Sequence, residues 1–311
     1  MFPINLLDLI DPKKCYALIR QLRWGGRLSC PKCGSNHVIK RGFDEIQSDR
    51  QRYQCKHCKA RFDDLSDTIF AGHHQPLGVW ILCLYLMGLN LSNHQISNEL
   101  DLNKDDTQQM TSQLRSGIVE KKPEVVLDEA VEIDEMYMVA GFKGQPLKVA
   151  QKQRKGRRRR LKGSPGRVTL EKEKPPIFGI LKRGGEVIIK MLENVQQATI
   201  NPIINQAVTQ GTTVYTDEYN IYSQLENWGY THKSVCHGVG EYARDEDGDG
   251  FHEVHVNTIE GFWSLLRSWL RPHRGISQEK LPCYLGFFEF VHNARKRGKA
   301  LLPSLLECLL A

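Results

Sequence analysis

Two short cysteine pairs constrain this chain more than anything else in it. Cys30-Pro-Lys-Cys33 and Cys55-Lys-His-Cys58 lie 21 residues apart, and each C-x2-C turn brings two thiolates onto one tetrahedral cation. Four sulfurs of this kind suit Zn(II), so Cys30, Cys33, Cys55 and Cys58 are expected to close one structural zinc site. Between the pairs, Val38, Ile39 and Tyr53, with Gly34 and Gly42 at turns, predict the short strands of a zinc ribbon. The chain holds nine cysteines, an odd number, and shows no export signal, which argues against a disulfide framework. Cys15, Cys83, Cys236, Cys283 and Cys308 stand without a nearby partner in apolar settings and are expected to be small core residues.

A ribbon accounts for a small part of 311 residues; the length allows about two domains. The longest apolar stretch, Leu77 to Leu91, is interrupted by Gly78 and Gly88 and falls short of the ~20 residues a bilayer requires, so a cytoplasmic location is expected and no membrane partner. Charge is unevenly spread. Residues 143–174 hold 13 Lys and Arg against 2 Asp and Glu, residues 20–62 hold 11 against 3, and residues 263–299 hold 8 against 2. Three basic runs on an otherwise acidic chain point to a polyanionic partner, because clustered cations gain from displacing the counterions of phosphates.

From Gln75 to Gly117 the pattern is helical. Leu77, Trp80, Ile81, Leu84 and Tyr85 recur at three and four residues. Leu91 to Leu100 reads as a capped helix, Asp101 to Asp106 as a turn and Thr107 to Ile118 as a second helix, with Thr107, Gln108, Thr111, Ser112 and Arg115 polar. This is the layout of a helix-turn-helix, and equally of a plain helical hairpin that carries the ribbon; on the first reading Arg115 meets DNA.

From Ala130 the texture becomes α/β. Val131-Glu132-Ile133-Asp134-Glu135-Met136 alternates with period two, placing Ile133 and Glu135 on one face and Glu132, Asp134 and Met136 on the other. Ile177 to Leu181 and Val187 to Leu192 flank the glycine turn Arg183-Gly184-Gly185. Asn201 to Thr209 is predicted helical, Thr213 to Asp217 a buried strand ending in an acid, and His232 to Cys236 a further strand. A helix is predicted from about Thr258 to Leu270. Ile259, Phe262, Trp263, Leu266 and Leu270 form its buried stripe, and Glu260 and Arg267, two turns apart, project together from its flank. Asp134, Asp217 and Glu260 can then converge, and three carboxylates with substrate phosphate oxygens suit hard divalent ions such as Mg2+ or Mn2+.

Those motifs resemble the DDE transposases of bacterial insertion sequences, in particular the zinc-ribbon branch called the insertion-sequence 1595 family. The resemblance covers nearly the whole chain and rests on the two cysteine pairs, Val131 to Glu135, Val214-Tyr215-Thr216-Asp217 and His255-Val256-Asn257-Thr258-Ile259-Glu260-Gly261-Phe262-Trp263. It implies an RNase H-like α/β catalytic domain with a mixed sheet, a catalytic triad of Asp134, Asp217 and Glu260 holding two Mg2+ or Mn2+ ions, and Arg267 as the basic residue that follows. Some members carry Asn as the third ligand, which keeps Asn257 as a candidate; Glu260 is preferred because a carboxylate supplies charge. The resemblance further implies cleavage and strand transfer at terminal inverted repeats by a homodimer or larger assembly on DNA. Phosphates would be held by Arg154, Lys155, Arg157, Arg158, Arg159 and Arg160, and by Arg295, Lys296 and Arg297. The expected divisions are residues 1–70 for an N-terminal helix and ribbon, 71–125 for a helix-turn-helix-like region, 126–294 for the catalytic domain with a basic insertion at 143–174, and 295–311 for a tail. A domesticated zinc-ribbon DNA-binding regulator and an RNase H-like nuclease are the alternatives.

Two acidic features compete with that assignment. Asp245-x-Asp247-x-Asp249-Gly250 begins like a calcium loop, yet its twelfth position is Val256 where such loops carry Glu. Glu132 shares a strand face with Asp134 and is the nearest rival for first ligand.

Overall fold

A computed structural model describes residues 6–151 and 173–310, and the chain divides into two units, Met1–Pro123 with Gly298–Ala311, and Glu124–Arg297. In the first unit, helix α1 (Pro12–Trp24) begins where the Asp11 carboxylate accepts the Lys13 N–H, with proline in its first turn, and ends on Gly25 in the left-handed conformation. A three-stranded antiparallel ribbon follows, β1 (Val38–Phe43), β2 (Gln51–Cys55) and β3 (Arg61–Asp63), in that order. It encloses a small core of Cys30, Tyr53, Cys55 and Phe62, with Trp24 packed against it.

Three helices complete the run: α2 (Leu77–Gly88), α3 (Asn93–Glu99) and α4 (Lys104–Lys121). A reciprocal capping box between Ser92 and Gln95 starts α3, and Asn103 caps α4 through the Asp105 N–H. The expected polar face of α4 is half wrong. Thr107 and Thr111 are fully buried and Arg115 is 5% exposed, because four-residue spacing sets all three on the side that carries Met110, Leu114 and Ile118 inward. Arg115 is therefore a core cation close enough to Cys83 to act on it electrostatically, and the expectation that it contacts DNA is withdrawn. Lys104, Asp105, Asp106, Gln108 and Gln109 form the exposed side.

The second unit is built on a five-stranded sheet in the order β6-β5-β4-β7-β8. Its strands are β4 (Ala130–Tyr137), β5 (Pro176–Lys182), β6 (Val187–Met191), β7 (Thr213–Asp217) and β8 (Thr231–Val235). β4, β5 and β6 pair antiparallel, while β4, β7 and β8 pair parallel. This mixed sheet with helices is the RNase H-like arrangement. A short helix α5 (Pro146–Gln151) follows β4, and α6 (Gln197–Ala207) joins β6 to β7. α6 starts four residues before the position its sequence pattern predicts, accommodating Pro202 internally, and ends before Val208, which is extended and bridges to Leu127. Ile200, Ile204 and Ala207 pack with Val131, Ile133, Phe178 and Val214 in the main core. A two-stranded ribbon, β9 (Ala243–Arg244) and β10 (Val254–His255), precedes α7 (Asn257–Leu270). It explains the acidity of residues 245–251: Asp245 accepts the N–H groups of Gly248 and Gly250 at 2.6 and 2.8 Å, so the acids build the turn of that ribbon.

Helix α8 (Leu281–Lys296) protects the open edge of the sheet. β6 has no strand beyond it among the described residues, and the buried Glu289 accepts the Ile189 N–H at 2.9 Å while Asn293 exchanges two hydrogen bonds with the Val187 backbone. An edge satisfied by side chains cannot recruit a foreign strand. The expected tail at 295–311 is not a tail. Arg295 and Lys296 end α8, Arg297 pairs with Glu186, and residues 301–310 form α9 (Leu301–Leu310), which belongs to the first unit. Leu301 and Leu305 close onto Gly88, where an added Cβ would stand 2.9 Å from Leu301, and Lys121 donates to the Leu309 carbonyl at 3.0 Å. Leu305 is fully buried. Leu305→Ala is accordingly expected to destabilise the first unit by about 2–5 kcal/mol, read by urea unfolding; an effect below about 0.5 kcal/mol, the size of a surface substitution, would show that α9 adds nothing to that core.

No helix among the described residues is long and apolar enough to cross a membrane. Cys15, Cys83 and Cys308 are buried, and burial pushes their thiols up to about 11, 12 and 11. Cys236 and Cys283 are only half-buried, which corrects their assignment as core residues.

Candidate active site

The period-two alternation of β4 decides where each acid goes. Val131 and Ile133 enter the core beneath α6, and Glu135 follows them, accepting the Tyr222 hydroxyl at 2.7 Å. Glu132 and Asp134 therefore meet α7 on the opposite face: Glu132 accepts the Ile259 N–H at 2.8 Å, and Asp134 Oδ2 accepts the Trp263 indole N–H at 2.8 Å. Gly179, the register partner of Asp134 on β5, makes room for that indole, since a Cβ there would come within 2.8 Å of Trp263 Cζ2.

Asp134, Glu260, Trp263 and Arg267 line one open cleft of about 490 Å³ together with Glu135, Met136 and Tyr137. Glu260 and Arg267 lie on the exposed flank of α7, as the spacing predicts, over a buried stripe of Ile259, Phe262, Trp263, Leu266, Trp269 and Leu270. Asp217 ends β7, next to β4 in the sheet, and its Oδ1 accepts the Tyr219 N–H at 3.0 Å. It does not line the cleft, yet its charge reaches Asp134. Burial pushes the Asp134 carboxyl up to about 6, the Trp263 and Glu135 N–H groups oppose this, and the negative charges of Asp217 and Glu260 add to it. Asn257 is exposed at the first residue of α7 and is not part of the cleft lining. Glu132, the rival acid, is fully buried and paired with Arg183 at 2.8 Å, so it has no open side for a ligand.

At the ribbon, the four cysteine sulfurs all lie within 4.8 Å of one another. Cys30 to Cys58 and Cys33 to Cys55 are 3.6 and 3.7 Å apart, against about 3.8 Å for two corners of a tetrahedron with Zn–S bonds near 2.3 Å. The Cys58 backbone N–H, with that of His57, draws the Cys55 thiol down to about 6 against burial. This donor set fits a structural zinc. Asp245, Asp247 and Glu253 also cluster among the described residues, whereas Asp134, Asp217 and Glu260 are not drawn that close.

Of the basic residues expected at DNA, Arg295, Lys296 and Arg297 are exposed at the end of α8, whereas Arg154, Lys155, Arg157, Arg158, Arg159 and Arg160 lie outside the described residues. Sequence reasoning placed Trp263 in the buried stripe and missed its hydrogen bond to Asp134. It missed Arg183 altogether, having read it only as part of a turn.

Known proteins share this layout. The ISXO2-like transposase domain matches residues 126–293, the span that carries the cleft, and the transposase zinc-ribbon domain matches residues 11–61. An uncharacterized protein in transposable element ISH50 of Halobacterium salinarum is 33% identical over the full length of both chains. An uncharacterized transposase-like protein of Haemophilus influenzae is 29% identical over 35% of this chain and 81% of its own. A zinc ribbon and a transposase domain, each matched in its own right, together with a full-length relative from a transposable element, establish that the chain belongs to the insertion-sequence 1595 family of transposases.

Proposed function

We propose that this transposase binds the terminal inverted repeats of its element and catalyses DNA cleavage and strand transfer in the cleft between β4 and α7. The observation that carries the reading is the cleft itself: Asp134 on β4 and Glu260 and Arg267 on α7 line one space open to solvent, and burial, with the charges of Asp217 and Glu260 adding to it, holds the Asp134 carboxyl above its usual range, so the site gains from a divalent cation. Asp134, Asp217 and Glu260 would hold Mg2+ or Mn2+ together with the scissile phosphate. Bound there, two such ions supply the charge that activates an attacking oxygen and offsets the charge on the leaving one. The protein's own groups do the rest. Trp263 fixes the Asp134 carboxylate through one oxygen, Glu260 lines the same cleft from α7, and Arg267 sits where it meets a phosphate entering the cleft. Hydrolysis and joining are both in-line displacements at phosphorus, so one site serves both without a covalent protein intermediate.

Binding is assigned elsewhere. The ribbon, the exposed side of α4 and the basic residues 152–162 contact DNA, and two copies bring two ends together at the nucleoid. Deleting residues 152–162 removes about four phosphate contacts, so the slope of log K against log salt is expected to flatten by roughly 3.6 units; an unchanged slope would make the segment a spacer. The function itself is tested by incubating the protein with its flanking genomic DNA and Mg2+ or Mn2+. Strand transfer supports the reading, cleavage without joining identifies a nuclease, and binding alone identifies a regulator.

A further inference from the structure

We propose that Glu132 and Arg183 act as a positioning pair that holds the three acid-bearing elements in one geometry, an inference that rests on the cleft being catalytic. Glu132 is fully buried on β4, two residues before Asp134. Its Oε1 accepts the Arg183 Nε–H and the Thr258 hydroxyl, each at 2.8 Å, and its Oε2 accepts the Ile259 N–H at 2.8 Å. Helix α7 has no side-chain cap of its own, since Val256 precedes it. The cap comes instead from the neighbouring strand, where a carboxylate satisfies a first-turn N–H and the positive end of the helix. Ile259 immediately precedes Glu260, so one side chain fixes the backbone at two of the proposed ligands.

Arg183 extends the connection to the third. Its Nη1 and Nη2 donate to the carbonyls of Glu253 and His255 at 2.7 and 2.8 Å, gripping the segment that leads into α7. Its guanidinium lies 3.8 Å over the Tyr215 ring, on β7 two residues before Asp217. Glu132 and Tyr215 are register partners, so Arg183 covers adjacent strands at one level. His255 lies beside the pair, its Nδ1 3.3 Å from both Glu132 Oε1 and the Asn257 backbone nitrogen. Burial, then Arg183, hold its pKa below the usual value, and Glu132 opposes them. A flat fork that donates three ways and stacks is specific to arginine; lysine offers a point charge on a flexible stem. An ion pair whose carboxylate is fully buried and whose guanidinium is half-buried is weak as a source of stability, and here it fixes positions.

The test uses the full chain with two variants. Glu132→Leu with Arg183→Met removes both charges, so none is left buried alone, and Arg183→Lys keeps the charge without the fork. For both, affinity for a duplex carrying the element's ends is expected to match wild type, while turnover falls by about 10²-fold, the usual cost of a misplacement near 1 Å. In the double variant, amide exchange at Ile259 and Glu260 is expected to accelerate about tenfold as the cap is lost. Wild-type turnover in either variant, or unchanged exchange in the double variant, overturns the proposal. Should the double variant fail to fold, Arg183→Lys decides by the split between affinity and turnover. A wild-type chain that does not cut DNA would defeat the catalytic reading; amide exchange would still show whether the pair holds α7.

Discussion

Asp134→Asn, Asp217→Asn and Glu260→Gln are each expected to lower DNA cleavage and joining by about 10³-fold or more, while binding to the element's ends stays near wild type. Each substitution removes one negative charge from a site that must hold divalent ions against their mutual repulsion, and several kcal/mol of charge stabilisation corresponds to that factor in rate. Binding survives because the ribbon, α4 and the basic segment lie apart from these acids in the sequence. Asp134→Asn carries a second signature. In the folded chain burial, with Asp217 and Glu260 adding to it, raises the Asp134 carboxyl from its ordinary 3.8 to about 6. Folding thus favours the protonated form: the group costs nothing below pH 3.8, where both states are protonated, and its cost grows until the folded state also ionises near pH 6. That rise in pKa amounts to about 3 kcal/mol at most. The metal-free Asn variant is therefore expected to unfold at higher temperature than wild type at pH 7.5 and at the same temperature near pH 3. Added Mg2+ should raise the wild-type midpoint and leave the variant's unchanged. Asn257→Ala is the control for the third ligand: a strand-transfer loss there, with activity retained in Glu260→Gln, would move that role to Asn257, and activity in all four variants would defeat the site.

What could be read from the sequence depended on how local the physical signal was. The cysteine pairs, the alternation of β4 and the two-turn spacing of Glu260 and Arg267 are all patterns within one element, and the fold reproduces the placements they imply. Glu132 shows where that reasoning ends. It shares a face with Asp134, and nothing within the strand reveals that Arg183, 51 residues away, occupies it. Arg115 failed for a related reason. A charged residue on a helix reads as exposed, and only the packing of α2, α4 and α9 shows that its stripe faces inward. The capping of the β6 edge by Glu289 and Asn293 is likewise a contact across about 100 residues, written in no periodicity. The acids of residues 245–251 begin like a calcium loop, a reading that Val256 at the twelfth position already argues against, and their bonds to their own backbone follow because short carboxylates serve tight turns as readily as cations.

Cys33→Ser is expected to release the ribbon's zinc and unfold residues around it, with the sheet of Glu124–Arg297 keeping its own unfolding transition. The ribbon's apolar core is small, four buried residues of which two are cysteines of the cluster, and its longest strand, β1, is exposed over its last four positions; a further tie is the buried Asp64, which accepts from Arg20, the Gln51 N–H and the Tyr53 hydroxyl. A structural zinc site made of four thiolates contributes about 10–16 kcal/mol of apparent binding free energy near pH 7, more than a whole small domain's net stability. Losing one thiolate leaves a three-sulfur site and returns most of that free energy. Serine is nearly the size of cysteine and Cys33 is exposed, so no cavity accounts for the loss. Because zinc binds thiolates, acid should release it before it unfolds the sheet. The measurements are zinc content of the purified variant and its heat-unfolding profile. One zinc per chain retained in Cys33→Ser would remove the cysteine cluster from its structural role, and a single transition shifted as a whole would show that ribbon and sheet unfold together.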